Sequence, residues 1–253
     1  MARRSLKELV RRLLPKSVRP HRIIAGRLRG FRIVTSWHDY PAAILGRTER
    51  ALLDWFEQNV GVGETWLDVG AHYGYTALAL SRLVGASGRV FAFEPMMSTA
   101  GHLSETRLLN RLIQLTVIPC GLGDPEGIEL RQLPTVRGMV DSTIAGDGRW
   151  TEGLLVARLD WLWPGIAGKK PRIDGVKVDV QGMEIETISG MGGLLREFRP
   201  KVVIEVHRGV DRVRLLDSLE SLGYSRLGLP IEPAFGQADT EYLDDRSYTW
   251  SRS

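Results

Sequence analysis

From about residue 48 onward, apolar residues occur in blocks of two kinds. Short and nearly continuous apolar blocks predict buried strands, and longer blocks with apolar positions three and four residues apart predict helices. The two kinds alternate along most of the chain. Strands are expected over residues 65–69, 89–93, 115–119, 154–159, 175–180 and 201–206, and helices over 48–60, 75–84, 99–112, 184–198 and 212–222.

This order of elements favours an α/β fold of the Rossmann type, with a mainly parallel sheet and helices on both faces. Two further apolar segments, 224–229 and 248–251, predict an antiparallel strand pair that closes the sheet. Ligands of parallel sheets bind beyond the carboxyl ends of the strands, where the strand order reverses. The residues that follow each predicted strand are therefore the candidates for function.

The first 44 residues are predicted to form a basic N-terminal arm that precedes a domain over residues 45–253. Residues 1–32 contain eleven Lys or Arg residues and one acidic residue, Glu8, whereas the rest of the chain has more acidic than basic residues. Apolar residues between Leu6 and Leu14 have helical spacing, which predicts a short amphipathic helix that ends at Pro15. Such a helix either lies on an anionic membrane surface or packs on its own domain.

Composition narrows the class of protein. No apolar run approaches the roughly 20 residues that span a bilayer. The single cysteine, Cys120, excludes an internal disulfide and fits a reducing compartment. We therefore expect a protein that is cytoplasmic, either free or peripheral at the inner membrane surface. Because the predicted domain is acidic, a nucleic acid is not the expected partner.

The turn after the first predicted strand, in WLDVGAHYGY, carries the first candidate site. Gly70 and Gly74 allow the chain to pass close beneath a ligand, and the following helix offers free N–H groups. Asp68 ends the strand with a carboxylate suited to a ligand ammonium group. A dinucleotide site would need the pattern Gly-x-Gly-x-x-Gly, and Asp68 would repel its pyrophosphate. A nicotinamide-dependent oxidoreductase is therefore the weaker alternative.

Two more carboxylates follow the next two strands. Glu94 can accept hydrogen bonds from both hydroxyls of a ribose, or can cap the next helix. Asp124 in GLGDPEG can accept from an adenine amino group, or can belong to a simple type I turn. Together with Asp68, these residues predict a nucleoside that carries an amino-acid tail.

Further strings at strand ends extend this pattern. The strings are Asp68-Val-Gly-Ala-His-Tyr-Gly74, Phe93-Glu-Pro95, Asn110, Asp124, Leu159-Asp160, Lys177-Val-Asp-Val-Gln-Gly182 with Glu184, and Glu205-Val-His207. On these strings, roughly residues 45–207 resemble the FkbM family of methyltransferases. Met183 departs from the family pattern, which has a small residue at that position.

The resemblance implies a class I methyltransferase that uses S-adenosylmethionine. It implies a hydroxyl acceptor on a sugar, a polyketide or a glycolipid-like, lipid-linked molecule. By the same resemblance, the residues that hold the cofactor would be Asp68, Gly70, Glu94 and Asp124, with His72 and Gly74 in the same glycine turn.

Methyl transfer to an alcohol needs a group that takes the hydroxyl proton. The candidates after the last two parallel strands are Lys177, Asp179, Glu205 and His207. His207 is the first choice for the base because an ordinary imidazole titrates near neutral pH, and Asp179 is the second. His72 is a third. Alternatively, Lys177, Asp179 and Glu205 form an ion network with a purely structural role.

Three further hypotheses stay open on the sequence. Asp160, Asp179, Glu205 and His207 could hold a divalent ion such as Mg²⁺, although no ligand spacing demands one. The polar stretch 134–153 is either a lid over the acceptor or a variable surface loop. Finally, the chain could be a nucleic-acid methyltransferase that uses its basic arm, or a domain that binds cofactor or membrane without catalysis.

Overall fold

The structure is a computed structural model that describes residues 13–136, 139–140, 151–168 and 172–251. Its strands are β1 (Arg19–Arg22), β2 (Arg32–Thr35), β3 (Thr65–Val69), β4 (Arg89–Phe93), β5 (Leu115–Ile118), β6 (Gly121–Leu122), β7 (Glu129–Val136), β8 (Met139–Val140), β9 (Thr151–Ala157), β10 (Gly175–Val178), β11 (Lys201–Val206), β12 (Leu229–Pro230) and β13 (Arg246–Trp250). Its helices are α1 (Pro41–Leu45), α2 (Arg50–Asn59), α3 (Tyr75–Val84), α4 (Met97–Leu109), α5 (Leu159–Ile166), α6 (Glu184–Gly190), α7 (Gly192–Phe198) and α8 (Arg212–Ser221). Within the described ranges, every helix is too short or too polar to span a bilayer.

A sheet with the strand order β12-β13-β11-β10-β3-β4-β5 forms the centre of the described structure. The strands from β11 to β5 are parallel to one another, whereas β13 pairs antiparallel with both β11 and β12. The strand order reverses between β3 and β10. The predicted parallel sheet and its antiparallel closing pair are thus confirmed, although β12 has only two residues and begins at the last residue of the predicted segment 224–229.

Helices cover both faces of the sheet, which is why its central strands are apolar throughout. Every residue of β3 and of β10 is buried. Leu67 and Val176 belong to the apolar cluster beneath α5 to α8, and Trp66 belongs to the cluster beneath α2 to α4. Asp68 and Lys177 lie opposite each other in the parallel register. Because side chains alternate between the two faces of a strand, this pairing places the buried carboxylate of Asp68 and the buried amine of Lys177 on the same face of the sheet.

Residues 19–35 form an antiparallel hairpin that packs on α4. Ile23, Leu28 and Ile33 are buried in the same cluster as Phe56 of α2. The side chain of Asn110 accepts from the backbone N–H of residue 32 and donates to its carbonyl. The packing therefore has no break at residue 44, the predicted boundary, and continues at least to residue 19. The amphipathic helix predicted before Pro15 lies almost wholly outside the described residues.

A second, smaller sheet with the order β6-β9-β7-β8 stands beside the carboxyl edge of the central sheet. Its strands β7 and β9 pair antiparallel from Glu129 to Pro134. The centre of the predicted lid, residues 141–150, lies outside the described residues. The helix predicted over 184–198 is two helices that meet at Met191, because glycines flank the break. A Cβ on Gly190 would lie 1.7 Å from the carbonyl oxygen of Gly123, so only glycine fits there.

Candidate active site

A cavity of about 300 Å³ opens at the carboxyl edge of the sheet, beside the point where strand order reverses. This volume lies at the lower end of the roughly 300–1,000 Å³ that small-molecule sites occupy. Turns after β3, β4 and β10 line one side, and Leu133, Leu154 and Val156 of the smaller sheet provide an apolar wall. Tyr40 and Glu49, from the N-terminal segment, line it as well.

The glycine turn after β3 is held by contacts within the protein. Gly70 has a φ of 79°, and a Cβ on it would lie 1.8 Å from the carbonyl oxygen of Asp179. Gly74 has a φ of 89°, and its Cβ would lie 2.0 Å from Cδ1 of Leu103. Gly70 lines the cavity and Gly74 does not. Packing therefore requires both glycines, Gly70 against the residue that follows β10 and Gly74 against α4, in addition to the close passage beneath a ligand that the sequence predicts.

Asp68 lies beneath the cavity and does not line it. Its side chain is fully buried, and Oδ2 accepts a hydrogen bond of 2.7 Å from the Thr76 hydroxyl. Oδ1 lies 3.3 Å from Nζ of Lys177. This corrects the expectation of a direct contact between Asp68 and a ligand ammonium group: Asp68 supports the floor of the cavity through Lys177 and Thr76.

Glu94 and His72 lie next to each other in the cavity wall. The Glu94 carboxylate accepts from the backbone N–H of His72 at 2.8 Å and from that of Met96 at 3.0 Å. Burial raises the pKa of Glu94 to about 7 and lowers the pKa of His72 to about 4. Among the described residues, Nε2 of His72 has no hydrogen-bond partner, although it is buried. A neutral imidazole with a free nitrogen fits a polar group of a ligand.

Asp124 is directed to a different part of the fold. Its carboxylate accepts from the Ser189 hydroxyl at 2.5 Å and pairs with Arg158 at 2.9 Å. It is not part of the cavity wall, so the expected contact with an adenine is not supported. The alternative interpretation of GLGDPEG, in which Asp124 belongs to a turn, describes this carboxylate better than the adenine contact does. The hydrogen bond with Ser189 connects the turn to α6.

Three non-glycine residues that line the cavity have left-handed backbone conformations. They are Glu49, with a φ of 52°, His72, with a φ of 49°, and Gln181, with a φ of 51°. Such residues cost on the order of 1–3 kcal/mol each, and this strain tends to concentrate at functional sites. The clustering marks this cavity as the candidate site independently of any motif.

Lys177 is the centre of an ionic cluster at the edge of the cavity. Its Nζ lies 3.1 Å from Oδ2 of Asp179, in addition to its contact with Asp68. Burial alone would lower the pKa of Lys177, but Asp179, Asp68, Glu49 and Glu205 together raise it. Burial would likewise raise the pKa of Asp179, yet the two cations nearby, Lys177 and His207, hold that pKa below its ordinary value.

His207 is buried and does not line the cavity. Nδ1 lies 2.6 Å from Oε1 of Glu184, and Nε2 lies 2.7 Å from the Gln181 amide and 3.4 Å from Oδ1 of Asp179. Burial alone would lower the pKa of His207, but the hydrogen bond to Glu184 and the nearby carboxylates raise it to about 9. Nε2 of His207 is in contact with the Gln181 amide and lies outside the cavity wall, so this geometry argues against His207 as the base.

Glu205 completes the cluster. Its Oε1 lies 3.6 Å from Nε2 of His207, and Asp179 and burial together raise the pKa of Glu205 to about 8. Asp179, Glu205 and His207 are close enough for one atom from each to contact a single metal ion. Asp160, the fourth predicted ligand, is elsewhere: its carboxylate accepts from the backbone N–H groups of Gly193 and Leu194 and caps α7.

The sequence of this chain matches a known protein family. Residues 68–226, more than half of the chain, match the Methyltransferase FkbM domain. The chain belongs to the FkbM methyltransferase family. A solved FkbM methyltransferase from Methylobacillus flagellatus KT is similar in fold, with a TM-score of 0.51, 19% identity and coverage of 74% of this chain and 43% of that one.

A second relative of this FkbM chain is the hexuronic acid methyltransferase AglP of Haloferax volcanii. The two are 31% identical over 157 residues, which are 57% of this chain and 56% of AglP. The FkbM chain therefore matches only about half the length of this relative. The predicted family and the class I fold are confirmed, and no support remains for a nicotinamide-dependent oxidoreductase.

The cavity of this FkbM protein also includes residues that the sequence analysis did not single out. Tyr40, Glu49 and Thr76 are among them, and Met183, noted as a departure from the family, lies in the cavity wall. Thr76 and Met183 follow strand ends and could have been found by that criterion. Tyr40 and Glu49 follow no strand of the central sheet, and only the packing of the N-terminal segment brings them to the cavity.

Proposed function

We propose that this protein transfers a methyl group from S-adenosylmethionine to a hydroxyl group of a sugar or sugar-like acceptor. The observation that carries the proposal is the cavity, whose wall includes both the Glu94 carboxylate, suited to a nucleoside, and the Asp179 carboxylate, suited to an acceptor hydroxyl. Family membership supports methyl transfer, and the hexuronic acid methyltransferase among its relatives supports a sugar acceptor.

The residues present fit the cofactor. Glu94 has carboxylate oxygens with lone pairs left for two ribose hydroxyls, and the unpartnered Nε2 of His72 lies in the same wall. The turn at Gly70 keeps the backbone close to the cavity without a side chain. Leu133, Val156 and Met183 give an apolar surface for a base. When bound, S-adenosylmethionine supplies a methyl group activated by a positively charged sulfur.

In this proposal, Asp179 accepts the proton of the acceptor hydroxyl. Its carboxylate lines the cavity and is ionised at neutral pH, because Lys177 and His207 lower its pKa. Lys177 and His207 are positioning residues: they hold the two carboxylate oxygens at 3.1 Å and 3.4 Å. Glu205 keeps its own proton at neutral pH and can donate a hydrogen bond toward the acceptor or Asp179.

A metal ion does not fit this cluster well. Mg²⁺ prefers oxygen ligands, whereas one of the three groups close enough to share an ion is the imidazole of His207. The ammonium group of Lys177, 3.1 Å from Asp179, already supplies the positive charge that a cation would bring. We therefore propose a reaction without a metal ion.

Glu94→Gln is expected to weaken the binding of S-adenosylhomocysteine by roughly 10- to 100-fold, the range for losing hydrogen bonds to a charged group. The amide would also turn an N–H donor toward the backbone donors of His72 or Met96. Isothermal titration calorimetry measures the affinity. Because the pKa of Glu94 is raised to about 7, the wild-type affinity should also fall as the pH drops below 7.

Glu105→Gln is the matched control, since Glu105 is an exposed carboxylate on α4, outside the cavity. It should bind S-adenosylhomocysteine as the wild type does. Unchanged affinity in Glu94→Gln, or no binding by the wild type, would remove the basis of the proposed cofactor site.

We also propose that the basic hairpin contacts an anionic membrane surface. In the β1–β2 register, Arg22 lies directly opposite Arg32, and like charges at such positions repel each other unless an anionic partner is present. Lys16, Arg19 and Arg29 are exposed close by in sequence, as is the apolar Ile24. Exposed apolar side chains among cations favour a lipid surface over a nucleic acid.

Vesicle co-sedimentation tests this contact. The variant Arg22→Gln/Arg32→Gln should bind phosphatidylglycerol vesicles roughly 30-fold more weakly than the wild type, at about 1 kcal/mol for each charge removed. Pure phosphatidylcholine vesicles should retain neither protein. Equal binding of both proteins to the anionic vesicles would contradict the proposal, and so would wild-type binding to duplex DNA but not to vesicles.

A further inference from the structure

A second cavity, of about 410 Å³, adjoins the first on the side of the N-terminal segment. Thr48, Glu49 and Glu205 line both cavities, so the two meet at these residues. Burial and the charge of Asp179, the proposed proton acceptor, raise the pKa of Glu49, and the same charge together with burial raises the pKa of Glu205. A molecule that reaches Asp179 through this junction would therefore extend into the second cavity.

Arginines and carboxylates both line the second cavity. Glu49 and Glu205 stand at the junction, while three arginines and two acidic residues line only the second cavity: Arg47, Arg50, Arg246, Glu232 and Asp245. Arg246 lies 3.3 Å from Glu232. Among the described residues, Arg47 and Arg50 make no ion pair with a carboxylate, which leaves two guanidinium groups available to an anion.

Glu49 has a backbone conformation that a simple cap would not need. Its φ of 52° is in the left-handed region, and its side chain does not cap α2. Only Thr48 Oγ1, at 3.3 Å, donates a hydrogen bond to its carboxylate among the contacts of the described residues. Oxygen lone pairs of Glu49 are therefore available at the junction, where an acceptor hydroxyl would pass.

We propose that the second cavity binds an anionic part of the acceptor, with Arg47 and Arg50 on its carboxylate or phosphate and Glu49 on a hydroxyl near the one that is methylated. This inference rests on the proposed methyl transfer to a sugar hydroxyl. It assigns an acidic sugar as the acceptor class. Carboxylates and phosphates fit guanidinium groups because both accept two parallel N–H donors.

Methyl transfer to matched sugars tests the assignment. The probes are methyl glucuronide, methyl glucoside and glucose 6-phosphate, with labelled S-adenosylmethionine as donor. The wild type should prefer one of the anionic sugars over methyl glucoside by roughly 10-fold or more in kcat/KM, the effect of a charged hydrogen bond. In Arg47→Ala/Arg50→Ala this preference should disappear, while the rate with methyl glucoside stays the same. The comparison of glucuronide with phosphate identifies the anionic group.

Two further variants sharpen the test. Arg196→Ala removes an exposed arginine of α7, outside both cavities, and should keep the wild-type preference. Glu49→Ala should raise KM for all three sugars, and Glu49→Gln, which keeps an acceptor oxygen, should raise KM less. Binding of S-adenosylhomocysteine, measured by calorimetry, should be unaffected in the arginine variants.

The outcomes separate this inference from the proposed function. If the wild type binds S-adenosylhomocysteine but methylates none of the three sugars, the sugar acceptor is wrong and the inference falls with it. If the wild type methylates the sugars without preference for an anionic one, or if Arg47→Ala/Arg50→Ala keeps that preference, the proposed function stands and only the inference is overturned.

Discussion

Asp179→Asn is expected to lower kcat for methyl transfer by about 10²- to 10⁴-fold, which is the contribution of a positioned general base. Asn has the same shape and can still accept a hydrogen bond from Nζ of Lys177, which lies 3.1 Å from Oδ2 in the wild type. Its amide, however, cannot take the proton of an acceptor hydroxyl. Transfer of a labelled methyl group at saturating acceptor measures kcat, and calorimetry with S-adenosylhomocysteine shows whether the cofactor site is intact.

Asp174→Asn is the matched control because Asp174 precedes the same strand, β10, that Asp179 follows. Asp174 accepts from the backbone N–H of Thr65 at 2.9 Å and pairs with Arg172, so its role is structural. The control should keep the wild-type kcat. Near-normal turnover in Asp179→Asn would exclude Asp179 as the proton acceptor.

The pH dependence of kcat distinguishes Asp179 from its rival Glu205. If Glu205 accepted the proton, kcat would rise about tenfold for each pH unit up to about 8, the pKa to which Asp179 and burial raise this group. The pKa of Asp179 is instead lowered, so a reaction that uses Asp179 has no such rise between pH 6 and 8. A flat profile in this range is the expected result.

The site residues that follow strands could be predicted from the sequence, because the carboxyl ends of parallel strands lie at the same edge of the sheet. Glu94 and Asp179 follow the apolar strands β4 and β10, and both line the cavity. Asp68 and Lys177 were expected to face it as well. The register of β3 and β10 pairs them, and of the two only Lys177 lines the cavity, whereas Asp68 lies beneath it.

Other features depend on contacts between distant segments, which a local pattern does not encode. Glu49 reaches the cavity because the β1–β2 hairpin packs on α4 and positions the segment that follows it. Asp124 follows a strand as Glu94 does, yet its distance from the cavity is fixed by Ser189 and Arg158. The role of His207 likewise depends on Glu184, whose carboxylate is buried beneath it.

His207→Gln should lower the free energy of unfolding by roughly 3 kcal/mol at pH 6, judged from the rise of the His207 pKa from 6.5 to about 9. The folded-state pKa is raised, so the protonated imidazole stabilises the fold fully below about pH 6.5. This contribution is lost as the pH rises through about 9. Urea unfolding at a series of pH values should therefore show a gap between wild type and variant that narrows above pH 7.

The cause of this loss is the buried carboxylate that His207→Gln leaves behind. Glu184 is fully buried, and Oε2 has no hydrogen-bond partner among the described residues even with His207 in place. Removing one member of a buried ion pair costs more than removing both, because the remaining charge is left unpaired.

The double variant His207→Gln/Glu184→Gln should therefore be more stable at pH 6 than His207→Gln alone. Arg208→Gln, which removes an exposed cation next to His207 in the sequence, is the control and should unfold as the wild type does. A double variant less stable than the single one would mean that packing, and not the charge of Glu184, accounts for the effect of His207.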